Sequence, residues 1–188
     1  MARQYTEFEV EEMNFKSEDA DTVSETGCIG TAEETLNIRT IKKKCKGRVV
    51  KQKSLHDGSG ELKVTGHMYY DAYCKMYGMD NAEFLDGVKT YGKGTVPNLL
   101  IMQKIRDEDG VLKLKAYPDA VVSSASARKI DSTVDEIAEV EITYSLSCDE
   151  KGQAMYEMII EDEESATNKA LITSWMSGFT PELVAKKG

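Results

Sequence analysis

The sequence is poor in the residues that most often carry chemistry. Its 188 residues include two histidines, four cysteines, one tryptophan and three prolines. His56 and His67 stand apart, and Cys28, Cys45, Cys74 and Cys148 form no C-x-x-C pair, so no cluster has zinc-ligand spacing. There is no N-x-[ST] sequon. No apolar run approaches the roughly 20 residues of a bilayer span. The opening residues, Met1 to Glu9, lack the apolar stretch of a secretion signal. The four thiols are therefore expected to be free, in a chain of cytoplasmic origin.

What is present is an ordinary globular composition, 40% apolar and 30% charged. The length suits one large domain or one domain with extensions, and it buries enough surface to need no covalent staple. The net charge of −9 argues against a chain that wraps nucleic acid as a whole, though not against a local basic patch. The charge is strongly segregated. Residues 1–36 carry ten acids against Arg3 and Lys16, and residues 131–164 carry twelve acids against Lys151 alone. Between them, residues 37–53 hold eight bases and no acid: Arg39, Lys42, Lys43, Lys44, Lys46, Arg48, Lys51 and Lys53. A block of one sign is commonly a solvated face. A basic block between acidic ones also suits a subunit whose ends meet oppositely charged ends of identical copies. An arm that grips a phosphate backbone would look the same.

Periodicity places strands through the middle of the chain. Gly60–His67 alternates, with Leu62 and Val64 on one face. Leu99–Ile105 and Val111–Ala116 flank an Asp109-Gly110 turn, a hairpin signal. Ala138–Ser147 alternates most clearly, with Ala138, Val140, Ile142, Tyr144 and Leu146 inward and Glu139, Glu141, Thr143, Ser145 and Ser147 outward. Met155–Ile160 is expected to pair back on it after a turn at Asp149–Gly152. Helix is expected at Asp71–Gly78, with Asp71 as its cap, and again around Leu171, Ile172, Trp175, Met176 and Phe179 before Gly178 and Pro181. Segments 16–27 and 37–59 read as loops or extended arms. The expected class is α+β and mainly β: a sandwich or partly closed barrel with a flanking helix and long arms.

Candidate catalytic motifs fail on their own terms. Gly87–Lys93 matches G-x-x-x-x-G-K, but Gly94 follows where a phosphate loop needs Ser or Thr for magnesium. Glu139 with Glu141, and the run Glu161–Glu164, offer paired carboxylates without the apolar cleft that keeps one of a pair protonated. His56 and His67 lie in no nucleophile context. Cys45 among lysines has the setting of a lowered thiol pKa but no partner group. No catalytic residue, metal or cofactor is expected.

A family resemblance rests on the order and spacing of several segments: Tyr70–Met79, Asp86–Gly92, Leu114–Pro118, Ser126–Ile130, Ala138–Ser147 and Trp175–Val184, with Tyr5–Val10 and Glu12–Phe15 at the start. Over nearly its whole length the chain resembles the major tail proteins, or tail tube proteins, of long-tailed bacteriophages and prophages of Gram-positive hosts. The resemblance implies one tail tube domain over 1–188, with an N-terminal arm (about 1–27), a basic loop or arm (about 37–59) and a C-terminal helical extension (about 165–188). It implies hexameric rings stacked into a hollow tube in the virion tail, assembled in the host cytoplasm. The expected partners are other copies of the chain, a tape-measure protein, and tail-terminator and baseplate or distal tail proteins, with DNA only as transient cargo. In that setting Glu139, Glu141, Thr143 and Ser145 are expected to line the channel. Arg39, Lys42, Lys43, Lys44, Lys46 and Arg48 are expected to join stacked rings. The inner tube of a contractile tail or injection system is an alternative. A DNA-binding protein using residues 37–53 is another, from a different class.

Overall fold

A computed structural model describes residues 6–80, 83–130, 133 and 137–186. Residues 1–5 of the expected N-terminal arm, and Asp131, Asp135 and Glu136 of the acidic block, lie outside the described residues. Eight strands make one antiparallel sheet: β1 (Glu9–Ser17), β2 (Ser24–Glu25), β3 (Gly27–Cys45), β4 (Arg48–Met68), β5 (Leu99–Arg106), β6 (Leu112–Val122), β7 (Val140–Ser147) and β8 (Tyr156–Ile160). Among the described residues, two helices, α1 (Tyr70–Met76) and α2 (Ala166–Met176), and a 3-10 turn at Pro181–Val184 accompany the sheet. The fold is α+β and mainly β.

The strand order is β2-β1-β5-β6-β7-β4-β3, with β8 also on β6. The sheet rolls until its two ends meet. The Thr26 N–H donates to the Met13 carbonyl at 2.9 Å, and the Tyr69 N–H to the Thr26 carbonyl at 2.9 Å. Below that tie β1 and β3 face each other without a ladder, so the sheet stays open along one seam.

The concave face holds the larger core, where Met13, Phe15, Leu62, Val64, Ile101, Ile142, Tyr144 and Leu146 meet Tyr73, Met76 and Tyr77 of α1. This helix plugs one end of the roll. Its N-cap position is Tyr69, with no side-chain cap, and Asp71 instead sits in the first turn, where a carboxylate favours the positive end of the helix dipole. On the convex face α2 and the turn after it cover β5, β6 and β8, with Trp175 and Met176 of the helix and Phe179 beyond its end packed on Met102, Leu112, Leu114, Ala116 and Ile160.

Two further sequence expectations are corrected. β8 pairs with β6 (Leu112↔Ile160, Ala116↔Tyr156), not with β7. Both edges of β7 are already occupied, by β4 and by the far half of β6, so the returning chain takes the free half of an 11-residue strand. Asp149 sets that path: Oδ1 accepts the N–H groups of Lys151 and Gln153 at 2.9 Å each, and Oδ2 accepts the Tyr156 hydroxyl at 2.7 Å. The strand expected over Ala138–Ser147 begins two residues later, at Val140.

Candidate functional site

The convex face is divided. Where α2 lies on it, it is apolar; over β3, β4, β7 and the end of β6 it is bare and polar. Register sets the pattern, because directly paired residues share a face. Glu33 pairs with Lys63 and Lys63 with Thr143; Thr35 pairs with Glu61 and Glu61 with Ser145; Thr65 pairs with Glu141. Asp119 pairs with Ser147 at the β6 edge. The outer face thus carries Glu33, Glu61, Glu141 and Asp119 among threonines and serines, with Lys63 as the cation between them. Lys63 Nζ lies 2.9 Å from Glu141 Oε2, and the hydrogen bond to that carboxylate raises the lysine pKa.

Of the residues expected to line a channel, Glu141, Thr143 and Ser145 fall on this face. Glu139 lies just before β7, with its carboxylate over Gly30 of β3, where a Cβ would stand 3.0 Å from Oε1. Glu33, Glu61 and Asp119 join them through strand pairing, which the sequence pattern did not reveal.

The basic block is the distal part of the β3–β4 hairpin. Between Leu36↔Gly60 and Ile38↔His56 the ladder slips, with Asp57, Gly58 and Ser59 opposite Asn37. Asp57 Oδ1 closes this bulge by accepting from the Ser59 N–H at 3.1 Å and hydroxyl at 2.9 Å. Such bulges bend a strand away from its sheet. β7 pairs with β4 no further than Gly60, so residues 37–59 leave the sheet as a two-stranded ribbon. Its base touches the β7–β8 segment, where Cys148 Sγ donates to the Gly58 carbonyl at 3.1 Å. At about 3.3 Å per residue, the nine residues from 37 to 45 carry the tip about 30 Å outward. The tip is Lys46-Gly47, with φ of 49° and 75°, the double positive φ of a type I′ turn.

All eight bases of the block lie on this ribbon. Arg39, Lys43, Arg48, Lys51 and Lys53 share one face; Lys42 and Lys44 share the other with Thr40, Ser54 and His56. Lys43 stands directly opposite Lys51, a repulsive pairing in an isolated ribbon. Among the described residues none of the eight bases has a carboxylate partner. Ile38, Ile41, Val49 and Val50 are exposed between them.

A second charged cluster was hidden from sequence reasoning. Lys113 and Lys115 alternate with Leu112, Leu114 and Ala116, yet both faces of β6 are covered, and the two lysines are 7% and 4% exposed on its concave side. Glu7, more than a hundred residues earlier in the chain, reaches between them, 2.8 Å from Lys113 Nζ and 2.9 Å from Lys115 Nζ. Glu157 lies 3.1 Å from Lys113, and the Tyr117 hydroxyl donates to Glu34 at 2.5 Å. Burial pushes the Glu7 carboxyl up, but hydrogen bonds and charge from the two lysines outweigh it and hold its pKa below the usual range. Glu7 therefore binds its proton more weakly in the folded chain than in the unfolded one. Its contribution is complete above the ordinary carboxylate range and is lost as pH falls through that range toward the folded pKa. Glu7→Gln is expected to remove about 1 kcal/mol at neutral pH, because the two buried ammonium groups lose a partner whose carboxylate is itself 40% exposed and screened by solvent. The gap from wild type should narrow below pH 4, measured by urea unfolding across pH; a gap independent of pH would refute the assignment.

The other sequence motifs stay apart. Gly87–Lys93 lies in the connection between α1 and β5, not at a strand-to-helix turn, and Lys89 there pairs with Asp80. His56 is on the ribbon, His67 near the end of β4, both exposed. Among the described residues no group of three or more His, Cys, Asp or Glu is placed to hold a metal ion, and no helix is long and apolar enough to cross a membrane.

No protein-family model matches the sequence, and no curated protein matches it. Among solved structures, the chain is similar to one in the cryo-EM structure of the anti-feeding prophage cap, a tube-terminating cap. Identity is 18% and the TM-score 0.49, over 85% of this chain and 95% of that one. It is also similar to a chain of the anti-feeding prophage baseplate, 6-fold symmetrised, at 13% identity and a TM-score of 0.45, over 86% of this chain and 100% of that one.

Proposed function

We propose that the chain is a structural, non-enzymatic subunit of a phage-type tail tube, forming hexameric rings that stack around a DNA channel. The observation that carries this reading is the pairing of two surfaces on one subunit: a cationic ribbon with no carboxylate partner among the described residues, and a bare sheet face of carboxylates and hydroxyls. An isolated two-stranded ribbon is marginal in water, and like charges opposite one another weaken it further. Such an element is stabilised by docking, and a stacking arm between rings provides the dock. The family resemblance of the sequence points the same way.

The carboxylate face suits a channel wall. A carboxylate and a phosphate about 10 Å apart in water repel by only about 0.4 kcal/mol. Repeated around a ring, this prevents DNA from adhering without forming a barrier to its passage. The seam edges of β1 and β3 carry backbone groups outside any ladder, and a neighbouring subunit can cover them. Partners at the tube ends and inside it, a tape-measure protein, a terminator and baseplate proteins, belong to the same proposal, as does a site in the virion tail. The inner tube of a contractile system would use the same surfaces.

The ribbon also fits a second reading, as a basic β-ribbon of a size that a DNA major groove admits. Negative-stain electron microscopy of the concentrated protein without nucleic acid separates the two. Hollow tubes or six-fold rings are expected. Persistent monomers that shift DNA in a salt-dependent way would favour the DNA-binding reading instead. In particles built with Glu61→Lys and Glu141→Lys together, tails of normal length and sharply reduced infectivity are expected. Normal infectivity would sink the channel assignment.

A further inference from the structure

The two ends of the rolled sheet carry opposite charge. β1 and β4 both finish at the end plugged by α1, and β3 starts there. The ribbon tip, Lys46-Gly47, lies past the other end. At the α1 end the β1–β2 turn presents Glu18, Asp19 and Asp21, and β2 adds Glu25, none of them in an ion pair among the described residues. This turn is held in place: the Glu18 N–H donates to the Asn98 carbonyl and the Ala20 N–H to the Ser17 carbonyl, each at 3.0 Å. Lys75 of α1 donates to Ser24 Oγ at 3.1 Å. Between the turn and the chain leaving α1 opens a cleft of about 550 Å³, lined by Asp19, Thr22, Lys75, Thr95, Pro97 and the Lys89-paired Asp80 among others. Among the described residues, Asp19 and the turn's other carboxylates supply its unpaired negative charge.

We infer that this cleft and its acidic turn are the surface on which the ribbon tip of another copy docks. The inference rests on the tube reading and adds to it the receiving surface and the polarity of the stack. Among the described residues, the tip supplies Lys42, Lys43, Lys44, Lys46 and Arg48 without carboxylate partners, and the acidic turn supplies carboxylates without cation partners. The tip is unobstructed, since a Cβ on Gly47 would meet nothing within 4 Å. Because ribbon and cleft are different surfaces at opposite ends, the contact is heterologous. It cannot close on itself between two copies, and it repeats along a line. Each added layer therefore offers a fresh ribbon at one end and a fresh cleft at the other, so the assembly is polar.

Cys45, exposed beside the tip, allows a direct test. In a Cys28→Ser background, Thr22→Cys places a second thiol in the cleft. Mild oxidation of assembled protein should give a ladder of disulfide-linked multimers on a non-reducing gel. The ladder should be absent when Cys45 is replaced by serine, and absent for Thr167→Cys on the exposed side of α2. Tubes of the Thr22→Cys variant that form without a Cys45-dependent ladder would overturn the docking surface and leave the tube reading standing. Wild-type protein that never assembles would overturn both.

Discussion

Trp175→Ala is expected to lower the stability of the subunit by about 3–5 kcal/mol, the range for truncating a buried tryptophan. Trp175 is fully buried beneath α2. Its ring lies 4.4 Å from that of Phe179, centroid to centroid, which in turn lies 4.9 Å from Tyr156. Its Nε1 donates to the Lys115 carbonyl at 3.1 Å, so one side chain fixes both the helix and the strand beneath it. That strand carries Lys113 and Lys115 on its other face, and loosening it disturbs the Glu7 cluster as well. Since total stabilities of domains are typically about 5–15 kcal/mol, the loss leaves a marginal protein. Trp175→Phe should cost less, because the ring packing largely survives and mainly the indole hydrogen bond is lost. Trp175 is the sole tryptophan, so unfolding in urea is best followed by far-ultraviolet circular dichroism. A midpoint for Trp175→Ala within error of wild type, at unchanged m-value, would show that α2 does not anchor the sheet.

The second large effect is on assembly. Replacing Lys42, Lys43, Lys44 and Lys46 with Glu should abolish tube formation while the subunit itself stays folded. The four lysines are exposed, and among the described residues neither core contains any part of the ribbon, so their charge is largely free of the subunit's own stability. Against the carboxylates of Glu18, Asp19, Asp21 and Glu25, attraction becomes repulsion at every contact. Wild-type assembly should also weaken as ionic strength rises, since exposed pairs are screened beyond about 8 Å at physiological salt. Tube length by electron microscopy across a salt series reads both effects. Unchanged length in the variant, or no response to salt in wild type, would refute a charge-driven stacking arm.

The mainly β class was legible because a strand with one wet face writes its period into neighbouring residues. In β7, Ile142, Tyr144 and Leu146 alternate with Glu141, Thr143 and Ser145, and the alternation is local information. The helical spacing of Leu171, Ile172, Trp175 and Met176 is legible for the same reason, although Phe179, expected in the same helix, lies past its end. The basic block was legible as charge but not as structure. Both faces of the ribbon are solvated, so residues 37–59 carry no apolar period, and only cross-strand pairing makes them a hairpin.

The sequence by itself thus determined the secondary-structure class, the polar side of β7 and the segregation of charge, all properties of residues close along the chain. Tertiary structure alone decided what depends on distant partners. It turned Lys113 and Lys115 inward toward Glu7, gave β8 to β6 because β7 had no free edge, and brought Glu33 and Glu61 onto the face that Glu141 occupies. It also set the basic tip and the acidic turn at opposite ends of one sheet. These are matters of register and closure, and a strand's own residues do not encode which neighbour it meets or at what offset.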